Sequence, residues 1–436
     1  MKKIVLLGAG RSSVYLIDYL LEKAHGKWEL TIADVSEEAA LAKLNNRPYG
    51  KALALDANNT EELNTAIGNA DVVVSLLPPS LHILAAKACL KQGKHLVTAS
   101  YVSPEIKALG AEAKAKGLVF LNECGLDPGI DHMSAMQVMD RIKKHGGILT
   151  EFKSYCGGLV AKQDIDNPFG YKFSWNPRNV ILAGQATATY LWNGKTKFIP
   201  YHRIFTDIET IGIMGGEQFD AYANRDSLSY IDTYGIPEVK TMLRGTLRYP
   251  GFCKLWNFIV QAGLTDAKFY PDKKVRTYPD LMESLRPQNG RFFEQWSESD
   301  NQELEALVAT TGLWEVKEVS PEGGSVADML QALLEKSWVM KPRDRDRVVM
   351  QHVFGYSLDG LHKTITSTLD INGTDAIHTA MAKTVGLPLA MATKLILEDR
   401  IHERGVCIPI SKDFYEPILE ELEGYGVRFY ESGIVG

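Results

Sequence analysis

Gly8-Ala9-Gly10-Arg11-Ser12-Ser13 is the first stretch of the chain whose residue types and spacing could do chemistry. It follows the apolar run Lys3 to Leu7 and precedes a helical pattern of Val14, Leu16, Ile17, Leu20 and Leu21. In such a strand-turn-helix unit Gly8 permits the tight turn and Gly10 lets backbone approach a pyrophosphate. The helix start adds free N–H groups and the positive end of its dipole. Ser13 stands where a dinucleotide fingerprint has its third glycine, and a purely structural glycine turn is the competing reading. A second strand, Glu29 to Ala33, ends in Asp34. That carboxylate lies about twenty residues after the turn, where it would accept hydrogen bonds from adenosine ribose hydroxyls and repel a 2′-phosphate. The pattern implies a nicotinamide dinucleotide, NAD in preference, with NADP as the alternative.

Other reactive side chains are less organised. Cys124, Asp131 and His132 combine thiol, carboxylate and imidazole but lack a second spaced pair, so a packing or helix-starting role is favoured and no metal is assigned. The five cysteines at 89, 124, 156, 253 and 407 contain no C-x-x-C pair, which points to reduced thiols and a cytoplasmic location. Acidic residues (54) outnumber basic ones (48) for a net charge of -6. No global positive field therefore recommends nucleic acid or an anionic membrane as partner. A hydrophobic share of 45% and a charged share of 23% over 436 residues fit a folded chain with more than one core. No apolar run is expected to reach the roughly 18 residues of a spanning helix.

The elements that must position these groups alternate. After Asp34 come an amphipathic segment at 36–44, a strand at 52–56, a helix from Thr60, the apolar strand Asp71 to Leu77, a helix from Ser80 to Gln92, and a strand from His95 to Thr98. Strands alternating with helices imply a parallel sheet covered on both faces, with ligands beyond the carboxyl ends of its strands. Ser75 to Pro78 and Ala99, Ser100 and Tyr101 would then lie beside the nicotinamide end. The fold class expected is α/β: a Rossmann-type doubly wound parallel sheet plus a second α/β domain with a mixed sheet and a helical insert. The dinucleotide-binding domain is expected at 1–125, completed by about 390–436. The substrate-binding domain is expected at 126–262 and 347–389, and the helical insert at 263–346. Strands at 348–355 and 363–371, with a turn at Asn372-Gly373, are expected to return to the central sheet. The helix expected at 375–397 carries methionines read as core packing. The last segments, including 405–410, 412–422 and 427–431, are expected to close against the first domain.

Several longer strings stand out: VTASY at 97–101, GLDPGIDH at 125–132, SYCGGL at 154–159, DNP at 166–168, GYKFSW at 170–175, NRDS at 224–227 and RGTLRYPGF at 244–252. Together, over nearly the whole chain, they resemble the glutamate-forming saccharopine dehydrogenases. The resemblance implies a nicotinamide-dependent oxidoreductase of lysine metabolism acting on a secondary amine. It would interconvert saccharopine and water with L-glutamate and 2-aminoadipate 6-semialdehyde. Carried over by position, it implies substrate contacts at Ser100, Tyr101, Asp127, Arg225, Arg244, Gly245 and Thr246. It implies cofactor contacts at Gly8, Ala9, Gly10, Arg11, Asp56, Ala57, Leu77 and Leu126, with Asp34 and Ser100 added from the sheet argument. Where fungal members carry a Cys-Arg-Thr type sequence suited to a 2′-phosphate, this chain has Ala33-Asp34-Val35, which again favours NAD.

Three substrate carboxylates call for planar arginine forks, and Arg225 and Arg244 are the choices. Asp127, Tyr101 and Lys172 are the candidates for proton exchange. Competing readings are a strand-end ion pair for Arg244, an exposed loop for Arg11 and a turn start for Asp127. The partners expected are a small-molecule substrate and a second copy in a homodimer. The alternative functions are a carboxynorspermidine, homospermidine or lysine dehydrogenase type of enzyme and a non-catalytic nucleotide-binding scaffold.

Overall fold

A computed structural model describes residues 1–288 and 298–433. Its strands in chain order are β1 (Lys2–Leu7), β2 (Trp28–Asp34), β3 (Gly50–Ala54), β4 (Val72–Ser75), β5 (His95–Thr98), β6 (Val119–Leu121), β7 (Ile148–Val160), β8 (Ala188–Trp192), β9 (Lys195–Ile199), β10 (Ile208–Ile213), β11 (Glu217–Ala223), β12 (Thr241–Arg248), β13 (Asp346–Leu358), β14 (Leu361–Asn372), β15 (Gly405–Cys407) and β16 (Tyr430–Ser432). The chain divides into two units, one built from 1–145 and 377–430, the other from 146–376 and 431–433 among the described residues.

The first unit is a seven-stranded sheet in the order β15-β6-β5-β4-β1-β2-β3, parallel at every pairing. Ile4 to Leu7 and Val72 to Ser75 are buried residue after residue, as strands covered on both faces require. The helix Val14–Ala24 packs on β2 and on the helix Ala380–Leu397, which also reaches β4 and β5. The strand order reverses between β1 and β4, which opens the crevice where ligands of such sheets bind.

Several boundaries differ from those expected. The first unit keeps the helix Ile130–Lys144 and takes the returning chain back from Ile377, because Ala380–Leu397 is a core helix of this sheet. That helix is long and apolar enough to cross a membrane, contrary to the expectation that no such run exists, but most of it is buried inside the unit. Met381 and Met391 are among its buried residues. Within the closing segments, β15 pairs with β6, but the last strand does not close the first sheet; β16 stands at the edge of the second. Residues 434–436 lie outside the described ones.

The second unit is a mixed nine-stranded sheet, β10-β11-β12-β7-β13-β14-β16, with β8 and β9 joined through β12. The β12–β7 pair is parallel, whereas β7–β13 and β13–β14 are antiparallel. Strands β13 and β14 therefore belong to this sheet, in the part of the chain expected to build the substrate-binding domain. The turn between them is Asp359-Gly360, both residues at positive φ (54° and 77°), and β14 ends at Asn372, where the chain is expected to turn. Residues 263–346 are no separate insert among the described residues: Tyr278, Leu281, Leu330, Leu334 and Trp338 bury into one cluster with Tyr155, Leu159 and Leu247 of the sheet. The part of the expected insert at 289–297 lies outside the described residues.

Candidate functional site

The glycine turn has the geometry a dinucleotide requires. Gly8 sits at φ 100°, and a Cβ there would lie 3.1 Å from the Leu76 carbonyl oxygen, so the turn is held against the end of β4 at the strand-order reversal. A Cβ on Gly10 would meet nothing within 4 Å, which leaves its backbone open to a ligand. The Ser13 hydroxyl donates to the Gly10 carbonyl at 2.8 Å. The close approach usually assigned to the third glycine falls instead to Gly386, whose added Cβ would stand 2.9 Å from the Leu16 nitrogen and 3.0 Å from the Ser12 oxygen.

Asp34 ends β2 with its carboxylate folded over this turn. Oδ2 accepts from the Ala9 N–H at 2.7 Å and Oδ1 from the Ser36 N–H at 3.0 Å. A carboxylate has about four acceptor positions, so its orientation is fixed while capacity remains for two ribose hydroxyls. Arg11 is exposed on the first turn after the glycines. Asp56 is exposed at the end of the β3 segment; hydrogen bonds from the Asn58 N–H and side chain pull its carboxyl below the usual range. Ala57 is buried, and Leu77 is half-buried against the same core cluster.

A second group gathers at the ends of β4, β5 and β6. Ser100 and Tyr101 follow β5, and the Tyr101 hydroxyl lies 3.5 Å from Asp127 Oδ1, so this tyrosine and this carboxylate are brought together. The loop carrying them is clamped by Glu123, a non-glycine residue at φ 54°. Its N–H donates to the Ser100 carbonyl (3.0 Å), and its Oε1 accepts from the Val102 N–H (3.1 Å). Glu123 Oε2 stands 2.9 Å from Nε2 of the buried His132. Asp131 accepts from the Gly129 N–H at 2.6 Å. Leu126 is buried, and its carbonyl accepts from the Asp131 N–H at 3.0 Å. Gly129 is at φ 148°, and a Cβ there would come 2.1 Å from the Gly125 carbonyl oxygen, so the GLDPGIDH loop closes only with glycine. The thiol of Cys124 reaches the Pro388 carbonyl at 3.6 Å, and burial pushes its pKa up. Among the described residues no three His, Cys, Asp or Glu side chains are arranged to hold a metal ion.

Sequence reasoning missed His82. It is the first residue of the helix His82–Gln92, buried between Ser75 Oγ (2.8 Å from Nδ1) and Ser100 Oγ (2.7 Å from Nε2). Burial pushes its pKa down to about 4, so it is neutral at working pH. The available signal was Ser75, a polar residue closing the otherwise apolar Val72 to Val74, followed by a proline turn that returns the chain at His82.

In the second unit Arg225 and Arg244 come together through backbone: the Asn224 N–H donates to the Arg244 carbonyl at 2.8 Å. Arg225 is exposed and at φ 51°. Arg244 is buried, with its guanidinium carbon 4.3 Å from the centre of the Tyr230 ring, an arrangement that orients a planar cation. Gly245 and Thr246 pair with Tyr155 and Cys156 of β7. A Cβ on Gly245 would lie 2.8 Å from the Tyr155 ring, so packing alone explains this glycine. A cavity of about 470 Å³ in this unit is lined by Tyr155, Tyr190, Trp192 and Glu209, with none of Arg225, Arg244, Gly245 or Thr246 in its wall.

Lys172 is a correction. Its buried ammonium donates to Asp166 Oδ2 (2.8 Å) and Asp344 Oδ2 (2.6 Å). Burial favours its neutral form, but the two carboxylates outweigh burial and raise its pKa, which suits a structural ion pair and not proton exchange near neutrality.

Comparison with known proteins extends this geometry. The Saccharopine dehydrogenase NADP binding domain matches residues 4–121, and the Saccharopine dehydrogenase C-terminal domain matches residues 125–427. The chain is 36% identical to the NADP(+), L-glutamate-forming saccharopine dehydrogenase of Saccharomyces cerevisiae over 99% of both chains. It is 36% identical to the mitochondrial alpha-aminoadipic semialdehyde synthase of Bos taurus over 98% of this chain and 47% of that protein. The apo, histidine-tagged L-Glu-forming saccharopine dehydrogenase of Saccharomyces cerevisiae superposes with a TM-score of 0.87 at 34% identity, covering all of both chains. The homospermidine synthase of Legionella pneumophila in complex with NAD (TM-score 0.60, 10% identity) shares the fold alone. With a glycine turn open to a dinucleotide and matches running the full length, the chain belongs to the saccharopine dehydrogenase family.

Proposed function

We propose that this chain is an L-glutamate-forming saccharopine dehydrogenase: saccharopine, an oxidised nicotinamide dinucleotide and water give L-glutamate, 2-aminoadipate 6-semialdehyde, the reduced dinucleotide and a proton. The observation that carries this reading is the Ser100, Tyr101 and Asp127 cluster at the ends of the parallel strands, in a chain that matches L-glutamate-forming enzymes over its whole length. The dinucleotide supplies the acceptor for the hydride lost from the carbon beside the secondary amine. Gly8, Ala9, Gly10 and Asp34 would hold it. The protein's own tasks are positioning and proton exchange, because water cleaves the resulting imine without a covalent nucleophile. Asp127 accepts a hydrogen bond from the substrate amine, and Tyr101, beside it, moves a proton to or from that carboxylate.

Arg225 and Arg244 supply carboxylate recognition. Purified enzyme is assayed for reduced dinucleotide with saccharopine, and glutamate is quantified as product. Arg244→Ala is expected to lower kcat/KM by an amount equivalent to about 2–5 kcal/mol while dinucleotide affinity changes little. Absence of saccharopine turnover by the unmodified enzyme rejects the reaction; unchanged kinetics in both arginine variants rejects only the anchors.

For the cofactor the reading is NAD. The printed names of the relatives and of the matched domain carry NADP, but those names describe other sequences, and in this one Asp34 is fixed over the turn by two backbone N–H groups. A 2′-phosphate would meet that carboxylate at close range. The expected outcome is a higher kcat/KM with NAD than with NADP, reversed or levelled by Asp34→Arg. Equal or better use of NADP by the unmodified enzyme overturns this choice.

A further inference from the structure

His82 stands in an unusual setting for a buried histidine. Among the described residues its ring nitrogens meet two hydroxyls and no charged group: Ser75 Oγ at 2.8 Å from Nδ1 and Ser100 Oγ at 2.7 Å from Nε2. His82 and Ser75 are buried, at 3% and 0% exposure, and Ser100 is half-buried. A neutral imidazole has one donor and one acceptor nitrogen, so one hydroxyl gives it a proton and the other receives one.

The two arrangements are not equivalent. If Nδ1–H donated to Ser75, the Ser75 proton would need another acceptor, and the described residues provide none for that fully buried hydroxyl. A buried donor left without an acceptor costs the full desolvation of the group. The reverse arrangement satisfies every proton: Ser75 O–H donates to Nδ1, and Nε2–H donates to Ser100 Oγ. The Ser100 proton is then directed away from His82.

We propose that His82 is a positioning residue that, with Ser75 behind it, makes Ser100 an obligate hydrogen-bond donor toward the ligand bound at the ends of β4 and β5. The partner it selects is an acceptor oxygen, supplied either by the carboxamide of the dinucleotide or by a carboxylate of the amino-acid substrate. This rests on the reading that Ser100 lines the hydride-transfer site. The rest of the loop is held independently, since Glu123 clamps the Ser100 carbonyl and the Val102 N–H. What His82 adds is therefore the direction of one proton. A neutral ring, kept so by burial, suits the task because it orients the hydroxyl without adding charge beside the reacting carbon.

The test is a cycle of His82→Leu and Ser100→Ala, read by kcat, KM for saccharopine and dinucleotide Kd from fluorescence titration. His82→Leu is expected to lower kcat/KM by roughly tenfold to a hundredfold, the scale of a misdirected contact at a reacting centre. In the Ser100→Ala background the same change should have less than about a twofold effect, because the residue it acts through is gone. His82→Gln, which keeps an N–H able to reach Ser100, should recover part of the loss. A rise in dinucleotide Kd assigns the acceptor to the carboxamide; a rise in KM alone assigns it to the substrate. Losses that multiply across the cycle, or wild-type kinetics in His82→Leu, overturn the proposal.

A measurement on the unmodified protein does not depend on any variant folding. Nitrogen-15 spectra of histidine-labelled enzyme should show the His82 ring neutral at pH 7 and protonated at Nε2; protonation at Nδ1, or at both nitrogens, overturns the proposal. If the unmodified enzyme does not turn over saccharopine, the proposed reaction falls while these spectra still decide the relay.

Discussion

Charged side chains in this chain divide by what surrounds them. Lys172 is almost fully buried but answers to two carboxylates, Asp166 and Asp344, and Asp166 also accepts from Lys341 Nζ at 2.6 Å. Removing the buried ammonium leaves Asp344 without this cation while the partly exposed Asp166 keeps Lys341, so the loss is expected below the cost of a fully buried broken pair, about 3–5 kcal/mol. Lys172→Met is therefore expected to lower the urea midpoint while turnover per folded molecule stays near that of the unmodified enzyme. Lost turnover at unchanged stability would return Lys172 to the reaction. The sequence presented Lys172 inside GYKFSW as a candidate proton carrier because residue type is visible in a string and burial is not. The same limit hid His82, whose partners lie 7 and 18 positions away. Asp34 was legible because a strand end followed by a carboxylate depends on local order alone. Which atoms Asp34 holds, the Ala9 and Ser36 N–H groups, needed coordinates.

At the scale of elements, the parallel sheet was legible because each of its strands is short, apolar and followed by a helix, so period and spacing agree. The mixed sheet was less so. Two of its hairpins turn on Asp359-Gly360 and Asn193-Gly194, all at positive φ, and those dipeptides are the standard signal for two-residue hairpin turns. Read as turns, they would have fixed β8 to β9 and β13 to β14 from sequence. The crossing of the helix Ala380–Leu397 over the start of Val14–Ala24 was invisible, because it joins positions some 370 residues apart through a glycine with no local turn to mark it. Gly386 makes the crossing: its added Cβ would press on backbone atoms of Ser12 and Leu16, which cannot rotate away. Gly386→Ala is expected to cost about 1–3 kcal/mol as overpacking and to weaken dinucleotide binding, since Ser12 and Leu16 lie in the turn and helix proposed to meet the pyrophosphate. Thermal unfolding and a dinucleotide titration check both effects. An unchanged Kd would show that the turn does not feel the crossing.

At the scale of the whole chain, the first unit is completed only by residues that follow the main segment of the second, 146–376. Its first 145 residues carry the glycine turn, Asp34, Ser100 and Asp127, yet β15 and the helices Ala380–Leu397 and Lys412–Gly424 come from the returning segment. The last of these buries Phe414, Tyr415, Ile418 and Leu422. The Tyr415 hydroxyl donates to Asp140 Oδ2 at 2.7 Å. Glu421 accepts from the Tyr19 hydroxyl, also at 2.7 Å, and is ion-paired with Lys394. Tyr19 lies on the helix that follows the glycine turn, so the C-terminal helix braces the dinucleotide-binding element directly. Burial of four such side chains is worth about 6–12 kcal/mol at 1.5–3 kcal/mol each, comparable with the whole stability of a domain at about 5–15 kcal/mol. A chain ending at Ser411 is therefore expected to lose dinucleotide binding although it retains every residue proposed to touch the cofactor. Tyr415→Phe, which removes one hydrogen bond of about 1 kcal/mol, should bind almost as the unmodified enzyme does. Fluorescence titration with the reduced dinucleotide compares the three proteins, and amide hydrogen exchange over residues 1–145 reports whether the sheet has opened. Undiminished binding by the shortened chain would mean that the first 145 residues, with 377–411, hold the site without the brace.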